Sequence, residues 1–252
     1  MSDGIIYSCA GESYVAEAVR SARSSLRHNA LPHILFASPA PSDVQAQPGL
    51  SIQPYEASDD PYLDKISNIR RSPFERTIFL DTDTRIVDDL AHLLELLDRY
   101  DLAVAHTAGY RGFADPGVPA AFYELNTGVM AWRSNERTAA FLEDWQETYV
   151  AWVREEPFRS AATSDQAAFR RCAWKHELRF VALGPEYNFR TLFPATVVDR
   201  VRVIHGRHRN PEALAARLNS RRGPRNFTPF RARLAKRPLT RPILRRVERR
   251  GR

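Results

Sequence analysis

Two carboxylates, Asp81 and Asp83, follow a short apolar run in the segment RTIFLDTDT, which spans residues 76–84. The run Thr77–Leu80 has no polar alternation, which is typical of a strand buried on both faces. Side chains two residues apart in an extended chain point to the same side, so both acids can face one point. Neighbouring carboxylates repel, and a divalent cation such as Mg²⁺ or Mn²⁺ removes that repulsion. The spacing therefore predicts a metal site that holds an anionic ligand; the alternative is a polar turn, since Asp and Thr are ordinary turn residues.

Three further polar clusters stand beside apolar runs or at the start of a helix. They are Asn126-Thr127-Gly128 before GVMAW, Asp165-Gln166 at a helix start, and His205-Gly206 directly after VRVI. Open α/β sheets bind ligands at the carboxyl ends of their strands, where a shared site would gather such clusters. Neutral imidazole is a common ligand of divalent metals, although a single histidine at a strand end is more often structural. The order and spacing of all four clusters together favour one common site.

The chain around these clusters alternates apolar strands with helices of mixed polarity. Strands are predicted over residues 4–9, 33–38, 50–55, 77–80, 102–106, 129–132, 178–183 and 201–204, and helices over 12–28, 60–71, 88–97, 135–153, 164–174 and 210–219. This alternation predicts an α/β fold with a single doubly wound, mostly parallel sheet flanked by helices and closed by the last two strands. The Gly- and Pro-rich residues 107–120 are predicted to form a surface loop.

The net charge of +7 is concentrated at one end of the chain. Residues 217–252 hold 14 Lys or Arg and one acid, Glu248, whereas the rest holds 23 basic and 29 acidic residues. We therefore predict a mildly acidic domain over residues 1–220 and a basic, Arg- and Pro-rich tail over 221–252. No apolar run reaches 18 residues, so no membrane-spanning helix is predicted. The first residues, MSDGIIYSCAGESY, lack the pattern of a secretory signal, so we expect a cytoplasmic protein.

The motifs FLDTDT, ELNTGVMAWR, SDQAAF and VIHG, in this order, resemble those of a known enzyme family. They are similar to the metal-dependent GT-A glycosyltransferases of the glycogenin and lipopolysaccharide galactosyltransferase type, family 8 and its relatives, over residues 4–215. The resemblance implies a GT-A, nucleotide-diphospho-sugar transferase-like catalytic domain. It also implies transfer of a hexose from a nucleotide diphosphate sugar, with a UDP-sugar favoured, to a glycan or lipid-linked acceptor, with retention of configuration.

The resemblance also assigns roles to particular residues. Asp81, Asp83 and His205 would be the ligands of Mn²⁺ or Mg²⁺. Asn126, Asp165 and Gln166 would line the donor sugar, with Asp165 or Gln166 facing the anomeric carbon, and further donor contacts would come from Tyr7, Ala10, Lys65, Thr82 and Arg207. The sequence departs from the family after His205, where GRHRNPE replaces a Gly-x-Lys-Pro-Trp-like segment. Arg207, His208 or Arg209 would then take the place of the lysine that holds the diphosphate.

Other classes of protein fit parts of the sequence. Haloacid dehalogenase phosphatases carry the pattern DxDx[TV], but here the fifth position is Arg85 and the motif lies far from the N-terminus. An Arg-rich tail binds nucleic acid through its phosphates, but no base-stacking module is visible, so nucleic acid is not the favoured partner. The tail interleaves Arg with Phe and Leu, which predicts peripheral binding to an anionic membrane at its inner face; the alternative is disorder alone.

Overall fold

The structure, a computed structural model, describes residues 2–41, 48–107, 115–154 and 164–229. Its strands are β1 Asp3–Ala10, β2 His33–Ser38, β3 Leu50–Pro54, β4 Arg76–Leu80, β5 Thr84–Ile86, β6 Leu102–His106, β7 Leu125–Arg133, β8 Phe180–Leu183, β9 Phe189–Arg190, β10 Ala195–Val197, β11 Val203–His205 and β12 Arg225–Phe227. Its α-helices are α1 Glu12–Leu26, α2 Pro61–Arg70, α3 Ala91–Leu96, α4 Glu136–Arg154, α5 Gln166–Lys175 and α6 Pro211–Asn219. A short 3₁₀ helix covers Pro185–Tyr187.

Seven strands form the central sheet, in the order β3-β2-β1-β4-β7-β6-β8. All of them are parallel except β7, which runs antiparallel to both β4 and β6. The predicted α/β fold with a mostly parallel sheet is therefore confirmed. The reversed strand matters for the site because the end of β4 lies beside the middle of β7, directly after Asn126, Thr127 and Gly128. Leu80 pairs with Val129, and the Asp81 N–H donates to the Gly128 carbonyl at 2.8 Å.

The two faces of the central sheet are covered by different helices, as the alternation of side chains along a strand requires. Ile5 of β1 and Ile78 of β4 pack on one face with residues of α1 and α3, such as Val15 and Leu93. The neighbouring residues Ile6 and Phe79 point to the opposite face, which is covered by α2, α4 and α5. On that face Trp145 is fully buried, and its ring meets the ring of Phe169 edge to face with a centroid distance of 4.8 Å. Both faces of the sheet are thus buried, which explains why its strands are continuous apolar runs in the sequence.

The prediction that the strand at 201–204 closes the central sheet is wrong. This segment forms β11, which belongs to a separate three-stranded sheet in the order β5-β11-β9. The reason is that β5 starts directly after the turn at Asp83 and offers its backbone edge to β11. His205 consequently pairs with Thr84, and the Gly206 N–H donates to the Asp83 carbonyl at 2.9 Å. The small sheet therefore places the late histidine against the paired acids.

The predicted domain boundary at residue 220 is too early. β12, which lies in the predicted tail, pairs antiparallel with β10, and its Phe227 ring packs on Phe189 at a centroid distance of 4.9 Å. Arg225 in β12 is buried, and its guanidinium donates to the Gly223 carbonyl at 2.6 Å. The fold thus continues to at least residue 227, because these contacts complete the core beneath α6. The rest of the predicted tail, 230–252, and half of the predicted surface loop, 108–114, lie outside the described residues.

Candidate functional site

The turn that carries the paired acids is held on both sides by backbone contacts. It begins where β4 ends and is closed by the Thr84 side chain, whose hydroxyl donates to the Asp81 carbonyl at 2.7 Å. Thr82, between the acids, points its hydroxyl away from them and donates to Glu17 of α1 at 2.9 Å. The turn therefore places Asp81 and Asp83 toward His205 and Thr82 toward α1.

Asp81, Asp83 and His205 bring three ligand atoms within 4.8 Å of one another. His205 Nε2 lies 3.2 Å from Asp83 Oδ1 and 3.8 Å from Asp81 Oδ2. Burial would raise the pKa of Asp83, but the hydrogen bond and charge of His205, with Arg207 and Arg190 nearby, outweigh it and leave that pKa below its usual value. Two carboxylate oxygens and one imidazole nitrogen form a donor set that suits Mn²⁺ or Mg²⁺. The residues present therefore fit a divalent cation.

The close packing around Gly128 explains why a glycine follows Asn126 and Thr127. A Cβ atom at Gly128 would overlap with the His205 ring and would stand 2.6 Å from Asp81 Oδ2. Neither neighbour can move away without leaving the cluster of ligand atoms, so any larger residue would push the cluster apart. The glycine thus allows β7 to pass directly beneath the candidate metal centre.

Lys65 joins the paired acids to the start of α5. Its Nζ atom lies 3.0 Å from Asp81 Oδ1 and 3.2 Å from Asp165 Oδ2, and it donates to the Thr127 hydroxyl at 3.1 Å. The Thr127 hydroxyl in turn donates to Asp165 Oδ2 at 2.8 Å. Asp165 is buried, and its Oδ2 atom already contacts the Lys65 ammonium group and the Thr127 hydroxyl. The neighbouring Gln166 is half-buried and reaches the same cleft.

A cleft of about 450 Å³ opens in front of these side chains. Its walls include nearly every residue predicted for the site: Ala10, Lys65, Asp81, Thr82, Asp83, Asn126, Asp165, Gln166, His205 and Arg207. The amides of the cleft are also in contact, since Asn126 Nδ2 donates to Gln166 Oε1. Residues that are up to 197 positions apart in the sequence, Ala10 and Arg207, are thus gathered at one edge of the sheet.

Tyr7 is the exception, and its predicted contact with a ligand is wrong. Its side chain is fully buried in the core on the α1 side of the sheet, and burial raises its pKa above the ordinary value for tyrosine. Because side chains alternate along β1, Ser8 and Ala10 reach the cleft, and Cys9 between them also borders it. The sequence shows that side chains alternate along β1, but it does not show which of the two faces borders the cleft. The orientation of Tyr7 therefore could not be predicted from it.

Several cleft residues carry no sequence signal that would single them out. Arg190 of β9 lines the cleft near both acids; burial lowers its pKa, although Asp81 and Asp83 act in the opposite direction. Tyr14 of α1 is half-exposed in the cleft wall, with the Arg207 guanidinium 5.7 Å from its ring centroid. Arg207 itself forms an ion pair with Glu17 at 2.8 Å. The cleft therefore carries three basic side chains, those of Lys65, Arg190 and Arg207, around the candidate cation site.

Comparison with known proteins gives a family and a fold. The family described as nucleotide-diphospho-sugar transferase matches residues 76–202, which is about half of the chain. The crystal structure of the glycosyltransferase GlyE from Streptococcus pneumoniae TIGR4 is similar, with a TM-score of 0.58 and 15% identity over 83% of this chain and 55% of GlyE. The apo structure of the bifunctional glycosyltransferase WbbM has a TM-score of 0.52 and 14% identity over 75% of this chain and 40% of WbbM. No curated protein matches the chain in sequence. The chain thus spans about half the length of these structures, which share its fold.

Proposed function

The chain belongs to the nucleotide-diphospho-sugar transferase family, and from this premise we propose that it is a metal-dependent glycosyltransferase. It would transfer a hexose from a nucleotide diphosphate sugar, with UDP as the favoured nucleotide, to a glycan or lipid-linked acceptor. The observation that carries the proposal is the meeting of Asp81, Asp83 and His205 within 4.8 Å at a cleft with basic walls. The family and fold are those of a sugar transferase and not of a haloacid dehalogenase phosphatase.

The cleft offers a separate group of side chains to each part of such a donor. Asp81, Asp83 and His205 would hold Mn²⁺ or Mg²⁺, which neutralises charge on a diphosphate leaving group as the glycosidic bond breaks. Arg190 and Arg207 are the cationic groups that would contact the diphosphate oxygens. The exposed ring of Tyr14, beside Ala10 and Ser8, offers an aromatic surface for the nucleoside.

The sugar would lie against the amide groups of the cleft. Asn126 and Gln166 carry the donors and acceptors that suit sugar hydroxyls. Asp165 or Gln166 would face the anomeric carbon, and Asp165, which is held by Lys65 and Thr127, would also fix the position of Lys65. Retention of configuration follows from the family-8 resemblance, which is likewise a proposal. Thr82 would contribute through its backbone and its hydrogen bond to Glu17.

The first test measures whether nucleotide binding requires the cation. We expect UDP to bind the protein in Mn²⁺ and to lose most of its affinity in EDTA, because the diphosphate and the two carboxylates repel one another without the cation. Calorimetric titrations of UDP, GDP and ADP in Mn²⁺ and in EDTA give the comparison. Equal affinity for UDP with and without Mn²⁺ would contradict the proposal, and selective binding of GDP or ADP would replace the donor class.

We also propose that the predicted tail binds anionic membranes peripherally. The residues beyond the described fold, 230–252, hold ten Lys or Arg and one acid, with Leu and Ile between them. Each basic residue near an anionic surface contributes about 1 kcal/mol, and apolar side chains can enter the interface. Among the described residues, no helix is long and apolar enough to cross a membrane.

Sedimentation with lipid vesicles tests the tail. The full chain should pellet with vesicles that contain phosphatidylserine at low salt and should be released at high salt. A truncated chain must end at Pro229 and not at the predicted boundary, residue 220, because the earlier end would remove β12 and disturb the fold. Equal pelleting of the full and truncated chains, or equal pelleting with neutral vesicles, would remove the membrane proposal.

A further inference from the structure

Four consecutive hydrogen bonds link the candidate metal centre to the floor of the cleft. His205 Nδ1 contacts Asn188 Oδ1 at 2.6 Å, and Asn188 Nδ2 donates to Asn126 Oδ1 at 2.7 Å. Asn126 Nδ2 then donates to Gln166 Oε1, and Gln166 Nε2 donates to Glu124 Oε1 at 3.2 Å. Four of these five side chains are buried, and Gln166 is half-buried. The series crosses from the small sheet to β7 and on to α5.

The direction of these hydrogen bonds is fixed by a backbone group. The Gly128 N–H, which can only donate, contacts Asn126 Oδ1 at 3.2 Å, so the oxygen of that amide faces Gly128 and Asn188. Asn188 must then turn its NH₂ group to Asn126 and its oxygen to His205. An amide oxygen only accepts, so the His205 Nδ1 atom carries the hydrogen. At the far end Gln166 Nε2 donates to Glu124 Oε1, which agrees with the same direction.

We propose that Asn188 is a positioning residue that holds His205 as the Nδ1–H tautomer and thereby makes Nε2 the ligand atom of the cation site. In a neutral imidazole the second nitrogen then keeps its lone pair. That nitrogen is the one that lies 3.2 Å from Asp83 Oδ1 and 3.8 Å from Asp81 Oδ2. The opposite tautomer would point an N–H at the place where the cation binds and could not coordinate it. The inference rests on the cation site of the proposed function.

The same hydrogen bonds predict how strongly the removal of each residue should affect His205. Removal of Asn188 breaks the only hydrogen bond that the structure gives to His205 Nδ1 among the described residues. Removal of Glu124 leaves Asn126 oriented by the Gly128 N–H. The hydrogen bonds from Asn126 through Asn188 to His205 should therefore keep their direction. The effect on His205 should therefore be large for Asn188 and small for Glu124.

The tautomer can be read directly from imidazole ¹⁵N chemical shifts in the protein loaded with Mg²⁺, which is diamagnetic and leaves these signals visible. The chain has seven histidines, and His205→Gln identifies which signals belong to His205. We expect Nδ1 to carry a hydrogen and Nε2 to carry none in the Mg²⁺-loaded wild type, and a smaller fraction of His205 in this form in Asn188→Leu at the same Mg²⁺ concentration. Titration of Mn²⁺ alone should show a loss of affinity of about 10- to 100-fold in Asn188→Leu, as is usual when a hydrogen-bond partner of a ligating histidine is removed.

Three further variants separate this role from a loss of folding. Asn68→Leu removes an equally buried amide that bonds Ser8 and Arg71, so it should leave Mn²⁺ affinity and the His205 signals unchanged. Asn188→Asp keeps an acceptor for Nδ1–H and should retain the wild-type tautomer even where Asn188→Leu does not fold. Glu124→Gln should retain it as well.

Two results would overturn the inference. One is a wild-type His205 that carries its hydrogen on Nε2 in the presence of Mg²⁺. The other is a folded Asn188→Leu protein with wild-type signals and wild-type Mn²⁺ affinity. Neither measurement uses a nucleotide-sugar. If the expected tautomer is found but no nucleotide-sugar binds, the result therefore counts against the proposed function and not against this inference.

Discussion

Replacement of Lys65 by methionine is expected to lower the free energy of unfolding by about 3–5 kcal/mol, the usual cost of removing one partner from a buried ion pair. Methionine fills a similar volume but leaves Asp165 buried without its cation. Burial alone would lower the pKa of Lys65, yet the neighbouring Asp165 and Asp81 outweigh burial and raise it, so the side chain is charged in the fold. Urea-induced unfolding of the two proteins measures the difference.

Lys175→Met is the matched control, because Lys175 also pairs with a carboxylate, Asp144, at 3.1 Å. Its side chain is 62% exposed, against 10% for Lys65, and an exposed ion pair contributes only about 0–1 kcal/mol. The double variant Lys65→Met/Asp165→Asn should recover part of the loss, since it no longer buries an unpaired charge while Asn can still accept from Thr127. Equal losses in Lys65→Met and Lys175→Met would show that the cluster at Lys65 does not stabilise the fold.

The parts of the site that sequence reasoning could locate are those that follow long, apolar strands. β1, β2, β4 and β6 are continuous apolar runs, and their positions in the central sheet follow from burial on both faces. The turn at Asp81 and Asp83 is then placed at the ligand-binding edge by a general property of α/β sheets. The clustering of Asn126 with the acids needs more than this, because it depends on β7 running in reverse beside β4.

The parts that sequence reasoning could not locate depend on short strands. β9 has two residues and β11 three, and such strands carry too little periodicity to reveal which sheet they join. Asn188 stands between the 3₁₀ helix and β9, so nothing in the local pattern indicates that it contacts His205. The same limit applies to β12. It lies in a basic, Pro-rich segment whose sequence does not indicate that it pairs with β10. Tertiary pairing, and not local preference, decides these positions.

Asp83→Asn is expected to reduce transfer by about three orders of magnitude, because a cation on the leaving group contributes several kcal/mol and each 1.36 kcal/mol is a factor of ten. The amide keeps the shape of the carboxylate but loses the charge that the cation requires. Since the side chain is only half-buried, the stability of the metal-free protein should change by no more than about 1 kcal/mol. Steady-state rates with the donor identified by calorimetry, together with urea unfolding in EDTA, separate these two effects.

A second readout of Asp83→Asn does not depend on turnover. In the wild type, Mn²⁺ at 100 times its Kd should stabilise the fold by about 2.7 kcal/mol, and this gain should disappear in the variant. Asp88→Asn is the matched control, because the Asp88 side chain is 24% exposed against 22% for Asp83 and it also faces a basic side chain, Arg200. Asp88 lies outside the cluster of ligand atoms, so its variant should keep both the rate and the Mn²⁺ response. A variant of Asp83 that retains wild-type turnover and wild-type stabilisation by Mn²⁺ would remove Asp83 from the metal site.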